Sequence, residues 1–184
     1  MQRFVTRIIA AATVFVGGSA AAAPEFIPDL AGPAVLAAQT QVRVHVKEQA
    51  RLEVPALVEF DVVNVAQNTD QTGVSRVRAT AVVLAPNHKL KVQIAAATAR
   101  FSDAAGAPSY LASKVTWTHG AVTGGAGTAG ALAGAGEYQD LLLCDPGGPC
   151  ETAALKFKLL ADPTQSVAGT HTLMGTYKVS SIIP

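Results

Sequence analysis

The 184-residue chain is 49% hydrophobic but only 5% aromatic, so it can bury the core of one ordinary domain without a metal, and that core must use small and β-branched side chains. Its 14 Lys and Arg against 13 Asp and Glu give a formal charge of +1, with the bases scattered singly. That excludes a nucleic-acid partner, because neutralising phosphates needs clustered bases.

Residues 1–22 read as an export signal. Arg3 and Arg7 supply the positive end, Ile8 to Val16 the apolar stretch, and Ser19 to Ala23 the small residues around a cleavage point placed before Ala23. The apolar run is shorter than the ~20 residues that cross a bilayer. Cleavage removes two arginines, leaving 12 basic residues against 13 acidic ones and a formal charge of −1. No second long apolar run or C-terminal lipidation signal follows, and both cysteines lie far from the cleavage point. No membrane span or lipid anchor is therefore expected after signal removal. The expected destination is the outside of a bacterial cell, secreted or at its surface, through the Sec pathway.

Residues 23–39 follow as an extended arm. Pro24, Pro28 and Pro33 interrupt any regular element, while Phe26, Ile27, Leu30, Val35 and Leu36 lack obvious core partners. Such a segment either folds back over its own domain or docks on a neighbour.

From residue 40 to 184 one pattern recurs: short apolar/polar alternations separated by Gly, Pro, Asn or Asp, which is the period of strands. Val42, Val44 and Val46 alternate with Arg43, His45 and Lys47. Val58, Phe60 and Val62 alternate with Glu59 and Asp61. Val74 to Leu84, the turn Ala85-Pro86-Asn87-His88, and Lys89 to Ile94 together predict a hairpin. Further strands are expected at Tyr110 to Thr118, with Val115 and Trp117 inward, and at Tyr138 to Leu143. The last two are Thr152 to Leu160, with Leu155, Phe157 and Leu159 inward, and Thr170 to Ile183. About 7–9 strands at this spacing predict two packed antiparallel sheets.

Residues 120–136 break the pattern, being almost wholly Gly and Ala without a charge. They are either flexible or pack backbone closely against another surface. Within them Gly125-Ala126-Gly127-Thr128-Ala129-Gly130 matches G-x-G-x-x-G, but Gly134 and Gly136 fall where the phosphate-binding helix should follow, and no βαβ repeat surrounds it. Cys144 and Cys150 frame Asp-Pro-Gly-Gly-Pro and predict a local disulfide, contributing roughly 2 kcal/mol by the chain-entropy model.

Other chemistry is poorly represented. His45, His88, His119 and His171 lack metal-ligand spacing. There is no G-x-S-x-G elbow, and the Asp103 turn lacks the dense acids of a calcium loop. Glu59 and Asp61 share a face and read as its wet side. Trp117 reads as core rather than a sugar platform. No cofactor, metal or catalytic residue is expected.

The closing segment Ala168-Gly169-Thr170-His171-Thr172-Leu173-Met174-Gly175-Thr176-Tyr177-Lys178-Val179, together with the signal, the apolar arm and the alternating strands, resembles the immunoglobulin-like β-sandwich subunits of bacterial surface fibres and fimbriae. The chain departs from that pattern in its local cysteine loop and in lacking a tyrosine next to the C-terminus. The resemblance implies an antiparallel, Ig-like sandwich and a non-catalytic structural subunit. Such subunits polymerise with copies of themselves, or join other cell-surface proteins, by β-strand addition. The assembly residues would be the arm, continued by Val42, Val44 and Val46. The competing expectation is a secreted monomeric module that binds a carbohydrate or protein ligand.

Overall fold

Alternation alone makes a strand only where a neighbouring edge accepts its backbone hydrogen bonds. The computed structural model describes residues 42–103, 105–106, 108–165 and 168–184. The chain divides into two units, residues 1–43 and 44–184, and every strand described belongs to the second. The export signal and Phe26, Ile27, Leu30, Val35 and Leu36 lie outside the described residues.

The fold is all-β and sandwich-like. In chain order the strands are β1 (Gln49–Glu53), β2 (Thr69–Asp70), β3 (Arg78–Val83), β4 (Lys89–Ala96), β5 (Arg100–Ser102) and β6 (Pro108–Leu111). After a 3-10 turn (Ala112–Lys114) come β7 (Val115–His119), β8 (Val122–Thr123), β9 (Gly125–Gly127) and β10 (Gly130–Ala131). The last four are β11 (Gln139–Cys144), β12 (Cys150–Thr152), β13 (Leu155–Leu159) and β14 (Gly175–Ile182).

Two four-stranded sets, β1-β3-β12-β8 and β10-β7-β13-β2, run on as a single first layer. Backbone hydrogen bonds carry the ladder across the breaks. On one side Leu155 N donates to Ser75 O at 3.0 Å and Thr152 N to Val77 O at 3.1 Å; on the other, Gly120 N donates to Ala154 O at 2.9 Å and Ala153 N to Ala121 O at 3.0 Å. The second layer is β14-β4-β11-β9, and β5 and β6 form a small separate pair. Val77, Ala79, Trp117, Leu155 and Phe157 from the first layer join Leu90, Val92, Ile94, Leu142 and Cys144 from the second in one buried cluster. Leu155, Phe157 and Leu159 are buried while Lys156 and Lys158 are exposed, as the alternation requires.

The predicted hairpin is overturned. Ala85 to His88 do reverse the chain, with His88 N donating to Ala85 O at 3.1 Å and Asn87 at φ 66°. The flanking strands nevertheless enter different layers: β3 pairs with β1 and β12, and β4 with β11 and β14. Both strands carry one apolar face, and those faces cover each other when the strands oppose across the core.

Other expected strands break at identifiable points. The strand expected over 110–118 is interrupted by the 3-10 turn, and that over 152–160 by Ala153 and Ala154 between β12 and β13. Val42, Val44 and Val46 do not form a strand; the first one begins at Gln49, because residues 42–48 meet no ladder partner among the described residues. Val58, Phe60 and Val62 turn half-buried toward the core as expected, but Glu59 makes only an isolated bridge to Thr72.

Candidate assembly edges

The two long sides of the sandwich are finished differently. On one side the Gly/Ala segment is neither linker nor phosphate loop. β8 pairs with β12 in the first layer, β9 crosses to pair with β11 in the second, and β10 returns to pair with β7. The segment straps the layers together, and at Gly124, Gly125, Gly127 and Gly130 backbone or rings come too close for a side chain. A Cβ on Gly125 would meet Leu143 O and Cys144 Cα, one on Gly127 the His119 ring, and one on Gly130 the Trp117 indole. The three glycines of the dinucleotide-like pattern are thus close-packing positions. Beside the strap, Cys144 at the end of β11 and Cys150 at the start of β12 form the expected disulfide between the layers, with Cα atoms 5.5 Å apart.

Among the described residues the opposite side is open, with β1 ending one layer and β14 the other. Edge strands present unpaired N–H and C=O groups to any passing strand. β1 is short and pairs with β3 across a bulge, where Ala81 adopts φ 52°. β14 keeps an unbroken eight-residue register with β4, from Gly175 opposite Ala96 to Ile182 opposite Lys89. Opposed residues share a face, so Tyr177, Val179 and Ser181 lie on the side of Ile94, Val92 and Leu90, with Tyr177 half-buried and Val179 still exposed at the edge. Burial pushes the Tyr177 phenol up to about 12. Lys178 faces outward, with its ammonium 5.4 Å from the centre of the Tyr138 ring.

A polar latch ties the open side together. Glu48 Oε1 accepts from Ala85 N at 2.7 Å and from Ser181 Oγ at 3.1 Å, and lies 2.9 Å from His88 Nδ1. Ser181 Oγ is 2.8 Å from the same Nδ1. Glu, His and Ser in contact invite comparison with a nucleophilic triad, but the triad needs Ser and acid on opposite ring nitrogens. Here both meet the same nitrogen, which is not the arrangement of that triad. The cluster anchors the residue that follows the exposed valines to the 85–88 turn and to the end of β14.

The Ala85 amide, chiefly, holds the Glu48 carboxyl below its ordinary 4.5, helped by Ser181 and His88 against the cost of desolvation. A carboxyl with a depressed folded-state value adds stability above its unfolded value and loses it as pH falls through the folded one. Asp140, held low by its hydrogen bond from Lys91, and Asp162, held low by the Thr164 hydroxyl, act in the same direction. The melting temperature is therefore expected to fall on acidification below the ordinary carboxylate value of 4.5, and less steeply in Glu48→Gln. Parallel profiles for the two proteins would remove Glu48 from the account.

Val42, Val44 and Val46 are 80%, 78% and 70% exposed. A second exposed apolar group lies just past β1, where Leu57 is 69% exposed and Val74 84%. Among the described residues no cluster of His, Cys, Asp and Glu could hold a metal, and no helix is long and apolar enough to cross a membrane. Sequence reasoning missed the position of β14 at the end of its layer among the described residues, and the latch, because strand order and the meeting of residues 48, 88 and 181 arise only in three dimensions. No family model matches the chain, and a search of curated proteins finds no match.

Proposed function

We propose that this protein is a non-catalytic structural subunit, exported from the cell, that assembles with further copies of itself by strand addition. The observation that carries the reading is the stretch Val42-Arg43-Val44-His45-Val46-Lys47, which has the alternation of a half-buried strand yet leaves its three valines exposed. An apolar face of this kind gains free energy by completing another sheet. The N-terminal signal-like residues and the disulfide both fit an oxidising, extracytoplasmic setting. A contact between unlike surfaces extends into a fibre wherever its rotation does not close into a ring, with the subunit serving as its own partner at the cell surface.

The test is light scattering with negative-stain microscopy on the exported chain over a range of concentrations. Filaments or large oligomers are expected for the native protein. Val44→Asp with Val46→Asp removes two apolar contacts of ~1.5 kcal/mol each, so assembly should weaken by about 100-fold. A native chain that stays monomeric at every concentration would overturn the reading and favour a monomeric binding module.

A further inference from the structure

Resting on that reading, we infer that the edge receiving the arm's continuation, residues 42–47, is the outer side of residues 57–62 in a second copy. This stretch is the chemical complement of the arm. Val58, Phe60 and Val62 turn toward the core and remain half-buried, while Glu59 and Asp61 are exposed on the other face. From residue 52 to residue 75 the chain carries four acids and no lysine or arginine. On one side Thr72 N donates to Glu59 O at 2.9 Å; among the described residues, no backbone hydrogen bond satisfies the other side of 57–62.

The arm repeats this pattern with the charge reversed. Every ladder between named strands of the domain is antiparallel. In that orientation one register places Val42 opposite Val62, Val44 opposite Phe60 and Val46 opposite Val58. The same register sets Arg43 opposite Asp61 and His45 opposite Glu59. Apolar residues then meet on the face that continues the core, and on the wet face the Arg43 guanidinium meets the Asp61 carboxylate and the His45 imidazole meets Glu59. Cross-strand pairs of both kinds stabilise sheets, whereas like charges directly opposite destabilise them. A one-residue slip would set valines against carboxylates, so the register is strongly specified.

The β14 edge is longer but fits the arm less well. Its outward face carries Lys178, which would oppose Arg43, His45 or Lys47 according to register, and no acid. Within one chain Glu48 is fixed at Ser181 by the latch. The preceding residues could therefore run along their own β14 only in the parallel sense, against the habit of the whole domain.

Charge reversal tests the pairing on the full exported chain, with sedimentation velocity as the readout and thermal melting to confirm folding. Asp61 is exposed, so Asp61→Arg is expected to keep the native melt while weakening assembly about tenfold. Arg43→Asp should do the same. The double variant Arg43→Asp with Asp61→Arg should restore native assembly, which a merely structural role for either residue would not produce. A second measurement avoids charge: the variants Arg43→Cys and Asp61→Cys, prepared separately and then mixed under mild oxidation, should give a covalent dimer, since opposed strand positions lie within disulfide reach.

If Asp61→Arg assembles normally while Val44→Asp with Val46→Asp does not, the acceptor is wrong and strand addition survives. Stronger assembly in Lys178→Glu, with no effect at Asp61, would assign the acceptor to β14 instead. A native chain that never assembles sinks both this inference and the reading on which it rests.

Discussion

Trp117→Ala should destabilise the domain by about 3–5 kcal/mol, a large share of the ~5–15 kcal/mol that holds a typical domain folded. The indole is 1% exposed on β7, and three neighbours depend on it. Phe157, its direct cross-strand partner on β13, packs against it with ring centroids 6.5 Å apart. Gly130 of β10 lies against the ring, and Nε1 donates to Thr128 O at 2.8 Å. Truncation would open a cavity between the layers and leave a strap carbonyl without its donor. Trp117→Phe keeps part of the volume but loses the donor, so it should cost about 1–3 kcal/mol. Urea denaturation followed by circular dichroism gives both values. A loss under about 1 kcal/mol for the alanine variant would mean that the core repacks without the indole.

Much of this core was legible from period-two alternation. Val115, Trp117, Leu155, Phe157, Leu159, Leu90, Val92 and Ile94 all point inward as the pattern demands. Alternation records which face of a strand is wet. It does not record which strand lies alongside, and this is why β3 and β4 read as a hairpin although they oppose each other across the core. The same limit explains Val42, Val44 and Val46, whose pattern is that of a strand whether or not an edge is available within the chain. The disulfide was legible because six residues of separation and the intervening Pro-Gly-Gly leave little room for another geometry. The latch was not, since Glu48, His88 and Ser181 carry no mutual spacing signal.

The glycines of the strap offer the sharper separation between two meanings of one motif. In a dinucleotide site, G-x-G-x-x-G lets phosphate approach the backbone, and a side chain there mainly costs affinity for the ligand. In this fold Gly125 sits opposite Cys144 in the β9–β11 pair, and a Cβ would press on backbone atoms, with Cys144 Cα at 2.9 Å. Backbone cannot swing aside as a flexible side chain can, so β9 would have to leave its ladder. Gly125→Ala should therefore cost about 1–3 kcal/mol, the range of an overpacked core. Gly148, in the loop closed by the disulfide, has nothing within 4 Å of the added methyl. Gly148→Ala should stay within about 0.5 kcal/mol of the native protein. Chemical denaturation of the two variants side by side decides the matter. A destabilised Gly125→Ala beside a neutral Gly148→Ala makes the pattern a fastening between the layers. Equal stability in both would mean that the strap is not held by close approach, and the glycines would then need another explanation.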